Sequence, residues 1–397
     1  MKKNKAYKYR LYPNKEQTVL IEKTIGCTRF IYNKMLSDKI NHYKDTKLML
    51  KNYPSQYKNE FEFLKEIDSL ALANAQLNLN SAYTNFFTKA KKQKPTLRKS
   101  IKKKLKEGTL TREIRITDLE NHPQFKSKKY SSWSYTTNNQ KGTIQIKDNK
   151  VKVPKIGFIK LKLHRNILED SVIKGATVSK TKTNKYYISI LVEYENQVLQ
   201  KDIEKVIGLD FSMKELYVDS NGNSANFPRF YRKAQEKLAK EQRILSHRKY
   251  ESNRYEKQKL KVAKVHERIA NQRKDFLHKE SKKLSENFDL VCIEDLNMKA
   301  MSQCLNFGKS VSDNGWGFFT TILKYKLEDQ GKYLYKIDKW FPSSKMCHVC
   351  GKINEKLTLE DREWDCECKA HLVRDHNAAI NIRTVGMTGI AQRYLQH

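Results

Sequence analysis

The sequence predicts an α/β chain of several domains, and three observations indicate this. Two apolar runs, 206–210 and 290–294, each end in a carboxylate and are typical of buried strands. Apolar and polar residues alternate through 142–194, which predicts a separate β region. Segments with helical periodicity precede and follow these strands. At 397 residues, the chain is long enough for two or three domains.

The first hundred residues are predicted to be mainly helical. A strand at 7–12 comes first, and a helix follows from Lys15 to about Asp45 with an interruption at Gly26. Asp68 and Ser69 are both suitable N-caps for a second helix. The apolar positions of that helix recur with a helical period: Leu72, Ala75, Leu79, Ala82 and Phe86.

Residues 89–106 contain ten Lys or Arg and no acidic residue. Such a run cannot bury itself, so it is either a solvated arm or a segment that faces phosphates. A flexible basic linker explains the composition equally well, and the sequence leaves these interpretations open.

From Gly142 to Tyr194 the alternation with lysine predicts a small β domain whose lysines lie on the solvent face. Asp148-Asn149 occupies the position of a hairpin turn. Tyr186, Tyr187 and Tyr194 would suit base stacking beside phosphate contacts. Ordinary strand packing is an equally good explanation of these tyrosines.

Residues 205–227 are predicted to form a β-meander that turns at Asn221-Gly222. Two long charged helices follow, at about 231–250 and 254–286, with a break near Ser252-Asn253. Apolar residues recur every seven positions in the second helix, which predicts an antiparallel hairpin with one apolar seam. The two series are Val262, Ile269 and Phe276, and Ala270, Leu277 and Leu284. Its basic faces would form either a nucleic-acid groove or a solvated surface.

The C-terminal part is predicted to contain a helix at about 313–330 and a strand at 332–338. A cysteine-rich insert lies between that strand and a final helix of small residues, which Asp375 opens.

The charge balance indicates a polyanionic partner, since 79 basic residues face 44 acidic ones and the net charge is +35. A membrane surface is a weak rival, because no apolar run approaches the roughly 18 residues of a spanning helix. The basic N-terminus has no apolar segment after it, so no signal peptide is expected. Seven cysteines, an odd number, favour a reducing compartment, and we expect a cytoplasmic protein with access to the nucleoid.

Three acidic residues are candidate ligands for two Mg²⁺ ions: Asp210, Glu294 and Asp375. The first two end buried strands, where a charge costs desolvation unless it has a role. Anionic oxygens that bridge two divalent ions are the standard means of cutting phosphodiesters. Asp295 competes with Glu294, because successive strand residues face opposite ways, and the pattern does not choose between them. The order of strands, helical insertion and terminal helix is that of an RNase H-like nuclease.

Four cysteines in two close pairs predict a structural Zn²⁺ site of the zinc-ribbon type: Cys347, Cys350, Cys366 and Cys368. The second pair is C-x-C, which is cramped, so His348, His371 or a water could replace one thiolate. A redox pair is the alternative, although a second pair has no use in that chemistry. The other cysteines are interpreted as core or incidental thiols: Cys27, Cys292 and Cys304.

Strings along nearly the whole chain resemble those of TnpB, the RuvC-like protein of small transposons and a relative of miniature type V CRISPR effectors. They are YRLYPN (9–14), FKSKK (125–129), FYRKAQ (230–235), IANQR (269–273), IEDLN (293–297), PSSK (342–345), DREW (361–364) and RDHNAA (374–379).

The resemblance implies an RNA-guided endonuclease that carries a transposon-derived guide RNA. Such proteins cut double-stranded DNA beside a short transposon-adjacent motif. The family's catalytic acids fall at positions matching Asp210, Glu294 and Asp375, which favours Glu294 over Asp295. The resemblance also favours a monomer.

The implied domains are a β wedge domain, a helical recognition domain, a RuvC-like nuclease domain and a zinc ribbon. The wedge domain would comprise 1–13 and 121–204, and the recognition domain 14–120. The nuclease domain would comprise 205–345 and 370–397, with the helical insertion at 231–286, and the zinc ribbon 346–369. Two features depart from the family: the short C-x-C pair, and a basic insertion near 89–115 to which no family role can be transferred.

Three other functions are consistent with parts of the sequence. A guided DNA-binding repressor that no longer cuts would be expected to lack one of the three acids. A transposase would join transposon ends without RNA. A basic nucleic-acid-binding protein without catalysis would leave the acid-ended strands unexplained.

Overall fold

The computed structural model describes residues 2–129, 133–298, 300–301, 314–358 and 360–395. The chain forms two compact units, Met1–Asn196 and Gln197–His397, and each has its own hydrophobic core. The content is mixed α/β, as the sequence predicts. In the described residues no helix is long and apolar enough to cross a bilayer.

The N-terminal unit is built on a seven-stranded antiparallel sheet with the order β2-β6-β7-β1-β5-β4-β3. The predicted strand at 7–12 is confirmed as part of a longer β1, and its Tyr7, Tyr9 and Leu11 are buried on one face. The strands are β1 (Lys2–Tyr12), β2 (Ser134–Asn138), β3 (Gln145–Lys147), β4 (Lys150–Val153), β5 (Gly157–Lys162), β6 (Val172–Lys180) and β7 (Tyr186–Glu195).

The predicted hairpin turn at Asp148-Asn149 is confirmed. It joins β3 to β4, and both residues have positive φ angles, 50° and 56°. Two such residues in succession form a type I′ turn, whose twist matches that of the flanking strands.

The N-terminal unit also contains helices α1 (Lys15–Thr46), α2 (Ser69–Lys92) and α3 (Lys99–Lys106), with short 3₁₀ helices at Pro54–Tyr57, Glu62–Lys65 and Ile116–Asp118. Asn14 and Gln17 form a reciprocal capping box at the start of α1. Of the two predicted caps, Asp68 is the one that caps α2, by accepting a hydrogen bond from the backbone N–H of Leu70 at 3.0 Å, and Ser69 is the first residue of the helix.

The interruption expected at Gly26 is wrong, because α1 is continuous through that residue. A glycine inside a helix costs about 1 kcal/mol relative to alanine. Each buried apolar side chain contributes about 1.5–3 kcal/mol. The buried Ile21, Ile25 and Ile31 lie on both sides of Gly26, so their packing outweighs the cost of the glycine.

The basic segment 89–106 is helical at both ends, since α2 extends to Lys92 and α3 begins at Lys99. Helix α3 packs against the rest of the unit through Ile101, which is buried. The lysines of α3 are exposed, so they form a charged surface on a folded element rather than on an unstructured arm.

Arg98 joins this segment to the chain after α3, and Arg112 stabilises that chain internally. The Arg98 guanidinium donates hydrogen bonds to the carbonyl oxygens of Leu119 at 3.1 Å and His122 at 3.0 Å. Arg112 donates two bonds of 2.7 Å to the buried Asp118 carboxylate. That interaction lowers the pKa of Asp118 to about 2.

The C-terminal unit contains a four-stranded sheet with the order β11-β10-β8-β9, in which β11, β10 and β8 are parallel and β9 is antiparallel. A separate two-stranded ribbon pairs β12 with β13. The elements are β8 (Val206–Ser212), β9 (Leu216–Asp219), α4 (Phe230–Ser246), α5 (Asn253–Asn287), β10 (Leu290–Glu294), α6 (Trp316–Glu328), β11 (Tyr333–Ile337), β12 (Glu363–Asp365), β13 (His371–Val373) and α7 (Arg374–Leu395).

The elements predicted from sequence in this unit are present with shifted bounds. The turn at Asn221-Gly222 follows β9, and the Asp219 carboxylate accepts the Asn221 N–H at 2.9 Å within it. Asp313, the predicted start of the helix before β11, lies outside the described residues. Ser252 caps α5, so the break between the two charged helices is where it was expected.

The predicted heptad seam of α5 is confirmed only in part. Ile269, Leu277 and Leu284 are buried, whereas Ala270 is exposed. A straight helix drifts by about 20° per heptad relative to a seven-residue repeat. The buried stripe therefore passes from the series containing Ile269 to the series containing Leu277, and Ala270 falls outside it.

Candidate active site and metal centre

The parallel strands bring Asp210 and Glu294 side by side. Leu209 pairs with Ile293 in the β8–β10 register, so the next residue of each strand is an acid. Neighbouring residues of parallel strands that are in register face the same side of the sheet, about 4.8 Å apart. The two carboxylates therefore share one face at one edge.

Helix α7 lies against that same face, because glycines allow close contact. Gly208 is two residues before Asp210, and a Cβ added to it would lie 2.6 Å from the backbone N of Arg383. A Cβ at Gly386 would lie 2.7 Å from the Cβ of Cys292. The contact places the first turn of α7, which contains Asp375, at the edge where the strand acids emerge.

The charges of Glu294 and Asp375 act on Asp210. The pKa of Asp210 is raised well above its usual value, first by desolvation and then by the negative charges of Glu294 and Asp375. Arg374 opposes this rise. The chain has 44 acidic residues, and sequence spacing alone could not select these three. The fold places them near one another.

Glu294 and its competitor Asp295 have different surroundings. The Ser343 hydroxyl donates a short hydrogen bond to a Glu294 carboxylate oxygen. Burial raises the pKa of Glu294, and the bond from Ser343 partly opposes that rise. Asp295 is exposed and forms an ion pair of 2.7 Å with Lys336. Its carboxylate is therefore engaged outside the cluster of three acids.

Two arginines hold Asp375. The Arg374 guanidinium lies 3.3 and 3.2 Å from Asp375 Oδ1, and Arg362 Nη1 lies 3.6 Å from Oδ2. Sequence reasoning did not single out either arginine or Ser343 for a role. Adjacency to Asp375 was the only available signal for Arg374, and Ser343 becomes adjacent to Glu294 only through the fold.

The donor set at this edge suits a hard divalent cation. Three carboxylates offer oxygen atoms, which are the ligands that Mg²⁺ prefers. The repulsion that Glu294 and Asp375 exert on the desolvated Asp210 is the condition that a bound cation relieves. The residues present are therefore compatible with a divalent metal.

The four predicted cysteines lie together, and all four Sγ atoms are within 4.8 Å of one another. The pairs Cys347–Cys368 and Cys350–Cys366 have Sγ–Sγ distances of 3.8 and 3.5 Å. Tetrahedral Zn²⁺ with bonds of about 2.3 Å needs sulfurs about 3.8 Å apart. The cluster is compatible with a structural metal such as zinc.

The alternative histidine ligands have other partners. His348 Nδ1 lies 2.9 Å from the amide oxygen of Asn377, and His371 Nδ1 lies 2.8 Å from Asp365 Oδ1. All four Sγ atoms lie together despite the C-x-C spacing, so no histidine is needed to complete the cluster. Of the other cysteines, Cys27 and Cys292 are buried, and Cys304 lies outside the described residues.

Two buried asparagines of α7 fasten the first cysteine pair to the helix of Asp375. Asn377 donates to the Met346 carbonyl at 2.8 Å and accepts from the His348 N–H at 3.0 Å. Asn381 donates to the carbonyls of Ser343 at 2.8 Å and Met346 at 2.6 Å. Sequence reasoning missed both, although two amides four residues apart on a small-residue helix were a usable signal.

Comparison with known proteins identifies the family. The chain is 29% identical to "TnpB-like protein L79" of Acanthamoeba polyphaga mimivirus over 34% of this chain and 27% of that protein. It is 32% identical to "Putative RNA-guided DNA endonuclease" of Streptomyces pristinaespiralis over 98% of this chain and 90% of that protein. The chain belongs to the TnpB family. "Putative RNA-guided DNA endonuclease InsQ" of Escherichia coli K12 is 27% identical over 98% of this chain and 94% of its own length.

Three family models match segments of this TnpB-family chain. The model described as "Probable transposase" matches 189–305, and "Cas12f1-like, TNB domain" matches 316–382. "Helix-turn-helix domain" matches 1–47, a range that contains β1 and α1.

Two solved structures also align with this TnpB-family chain over 96% of its length. A cryo-EM structure of the Cas12f1–sgRNA–target DNA complex has a TM-score of 0.48 at 14% identity and is covered over 99% of its chain. A CRISPR–Cas12f ternary complex has a TM-score of 0.35 at 15% identity and is covered over 98%. Neither similarity is close enough to indicate a shared fold by itself.

Proposed function

We propose that this protein is an RNA-guided DNA endonuclease that cuts double-stranded DNA beside a short transposon-adjacent motif. The observation that supports this most strongly is the meeting of Asp210, Glu294 and Asp375 at one sheet edge, in a chain of the TnpB family. Full-length relatives from Streptomyces and Escherichia coli are named as endonucleases of this kind.

The three acids are proposed to hold two Mg²⁺ ions. When bound, such ions supply charge stabilisation at the phosphate and activate water for attack. Glu294 is held in place by the Ser343 hydroxyl, and Asp375 by the two arginines that pair with it. The desolvated setting of Asp210 strengthens every charge interaction there.

The four cysteines are proposed to hold one Zn²⁺ with a structural role. Four protein thiolates fill a tetrahedral site and leave no position for a substrate. The thiols of this cluster are the donors, and the two nearby histidines already bond to other groups.

The domains are proposed as the family resemblance implies. The mixed sheet of the C-terminal unit supports a RuvC-like, RNase H-type nuclease domain at 205–345 and 370–397, with the hairpin 231–286 inserted. The ribbon and cysteine cluster support a zinc ribbon at 346–369. The antiparallel sheet supports a wedge domain at 1–13 and 121–204, and the helices support a recognition domain at 14–120.

The partners are proposed to be a transposon-derived guide RNA and target DNA, bound by a monomer. The net charge of +35 suits two polyanions. Relatives that the chain covers over 90% or more of their own length are named RNA-guided DNA endonucleases, and that name implies both partners. Base pairing would then select the sequence, so that the protein reads only backbone shape and a short flank.

The test is cleavage of a matched DNA target by protein purified with its own RNA. Glu294→Gln should abolish cutting and leave target binding nearly unchanged, because only metal ligation is lost. Asp295→Asn is the matched control and should cut as wild type does, since Asp295 pairs with Lys336. Substantial cutting by the Glu294 variant would contradict the site, and an inert wild type that still binds its target would indicate a guided repressor.

A further inference from the structure

The turn that follows β11 carries an exposed tryptophan. Of the four tryptophans in the chain, Trp316 and Trp364 are buried and Trp133 is half-buried, whereas Trp340 is 81% exposed. An indole ring offers a large apolar surface, and aromatic side chains of this size usually gain stability by burial. The exposure of Trp340 therefore calls for a partner.

The local structure fixes Trp340 in its exposed position. The Trp340 N–H donates to the Asp338 carboxylate at 2.7 Å, and the Phe341 N–H donates to the Asp338 carbonyl at 3.2 Å. These two bonds form a tight turn with an Asx contact. The Phe341 ring packs against the apolar cluster that contains Ile337. One aromatic residue is thus turned inward as an anchor, and its neighbour is held outward.

The turn lies beside the three acids. Strand β11 ends at Ile337, which pairs with Glu294. The same loop returns to Glu294 at Ser343, whose hydroxyl bonds to the carboxylate. Three residues of extended chain span at most about 11 Å, so the backbone of Trp340 is within that distance of the backbone of Ser343. A strand held at the acids would therefore have a neighbouring nucleotide within reach of the indole.

The chemistry of the turn suits single-stranded nucleic acid. Lys339 Nζ lies 4.9 Å from the centre of the Trp340 ring. An aromatic face with an adjacent cation is the usual arrangement for stacking one base while a phosphate is neutralised. Every base has a π-face, so such a contact does not depend on sequence.

We propose that Trp340 is a stacking platform for an unpaired base of the DNA strand that is being cut, and that Lys339 contacts a phosphate of the same strand. Trp340 is in this sense a positioning residue, which holds the strand so that a phosphodiester reaches the acids. The assignment to the cut strand rests on the proposed function. Guide pairing separates the two DNA strands and so supplies unpaired bases.

The first experiment measures cleavage in a single turnover, with guide-loaded protein at saturating concentration. Trp340→Ala should slow cutting by about ten-fold, the order of effect expected when one stacked base is lost. Trp340→Phe should recover most of the rate, because a planar ring remains. Tyr250→Ala is the matched control, since Tyr250 is also exposed, at 64%, and lies at the turn between α4 and α5. Equal rates for wild type and Trp340→Ala would overturn the proposal.

The second experiment does not need cleavage and so separates this inference from the proposed function. Acrylamide should quench Trp340 fluorescence readily, and saturation with an oligothymidylate should protect it, whereas Trp340→Phe should show no protectable signal. Unchanged quenching with the oligonucleotide bound would overturn the proposal. Protection by oligouridylate but not by oligothymidylate would also overturn it, because the site would then take RNA.

Discussion

Gly208 of β8 lies directly against the backbone of Arg383 in α7. A Cβ added at Gly208 would lie 2.6 Å from the Arg383 backbone N, and backbone atoms cannot give way as a flexible side chain can. Gly208 precedes Asp210 by two residues, and α7 begins with the turn that contains Asp375. The glycine thus determines how closely two of the three acids approach.

Gly208→Ala is expected to destabilise the C-terminal unit by about 1–3 kcal/mol through overpacking, and to reduce cleavage by displacing α7. Urea unfolding and cleavage rates measure the two effects. Gly317→Ala in α6 is the matched control, because nothing lies within 4 Å of an added Cβ there. That control should unfold at the same or a higher urea concentration. Equal loss in both variants would contradict the role assigned to the contact.

Ser343→Ala is expected to weaken metal binding, because it removes the hydroxyl that orients Glu294. Loss of such a partner typically costs 10–100-fold in metal affinity. Cleavage should therefore fall at limiting Mg²⁺ and recover when Mg²⁺ is raised. Ser344→Ala is the neighbouring control and should leave the Mg²⁺ dependence unchanged. A loss of rate that Mg²⁺ does not rescue would argue against this role.

Asp118→Asn is expected to destabilise the N-terminal unit by about 1–2 kcal/mol near neutral pH, because the ion pair with Arg112 is lost. The folded pKa, about 2, lies below the usual value of 3.8. The contribution is therefore present above about pH 3.8 and is lost as pH falls through 2. Thermal unfolding of both proteins across that range tests this. Asp170→Asn, at an exposed carboxylate, is the control for the substitution itself and should unfold at the same temperature as wild type near neutral pH.

Cys350→Ser is expected to lower the zinc content of the purified protein and to loosen the segment around the cluster. Metal analysis gives the first result, and hydrogen exchange over 346–373 gives the second. Cys292→Ser is the control for a cysteine outside the cluster, and its zinc content should match that of wild type. Unchanged zinc in the Cys350 variant would refute this residue as a ligand.

The two strands and the acid that ends the apolar run of each were predictable because they depend on local pattern, although β8 continues beyond Asp210 to Ser212. An apolar run that ends in a carboxylate identifies Asp210 and Glu294, and parallel strands bring their carboxyl ends to one edge. Strand alternation could not decide between Glu294 and Asp295. It shows that the two side chains face opposite sides of the sheet, but it does not show which side α7 covers. The glycine contacts of α7 with β8 and β10 identify that face.

Other features were not predicted because they depend on packing or on contacts between residues far apart in the sequence. The continuity of α1 through Gly26 depends on packing across the helix, which outweighs the intrinsic cost of the glycine. The exposure of Ala270 follows from the drift of the α5 stripe, which a strict heptad count ignores. The bond between Ser343 and Glu294 joins residues 49 positions apart, and no local signal marks it.

The attachment of the cysteine cluster to α7 has a consequence for engineering smaller or chimeric versions of this nuclease. Segment 346–369, which contains the four cysteines, resembles an independent module that could be replaced as a unit. Its anchors lie outside those limits, however, at Asn377 and Asn381. A graft that keeps the cysteines but not these two amides would keep the thiol cluster and lose its attachment to the helix that contains Asp375.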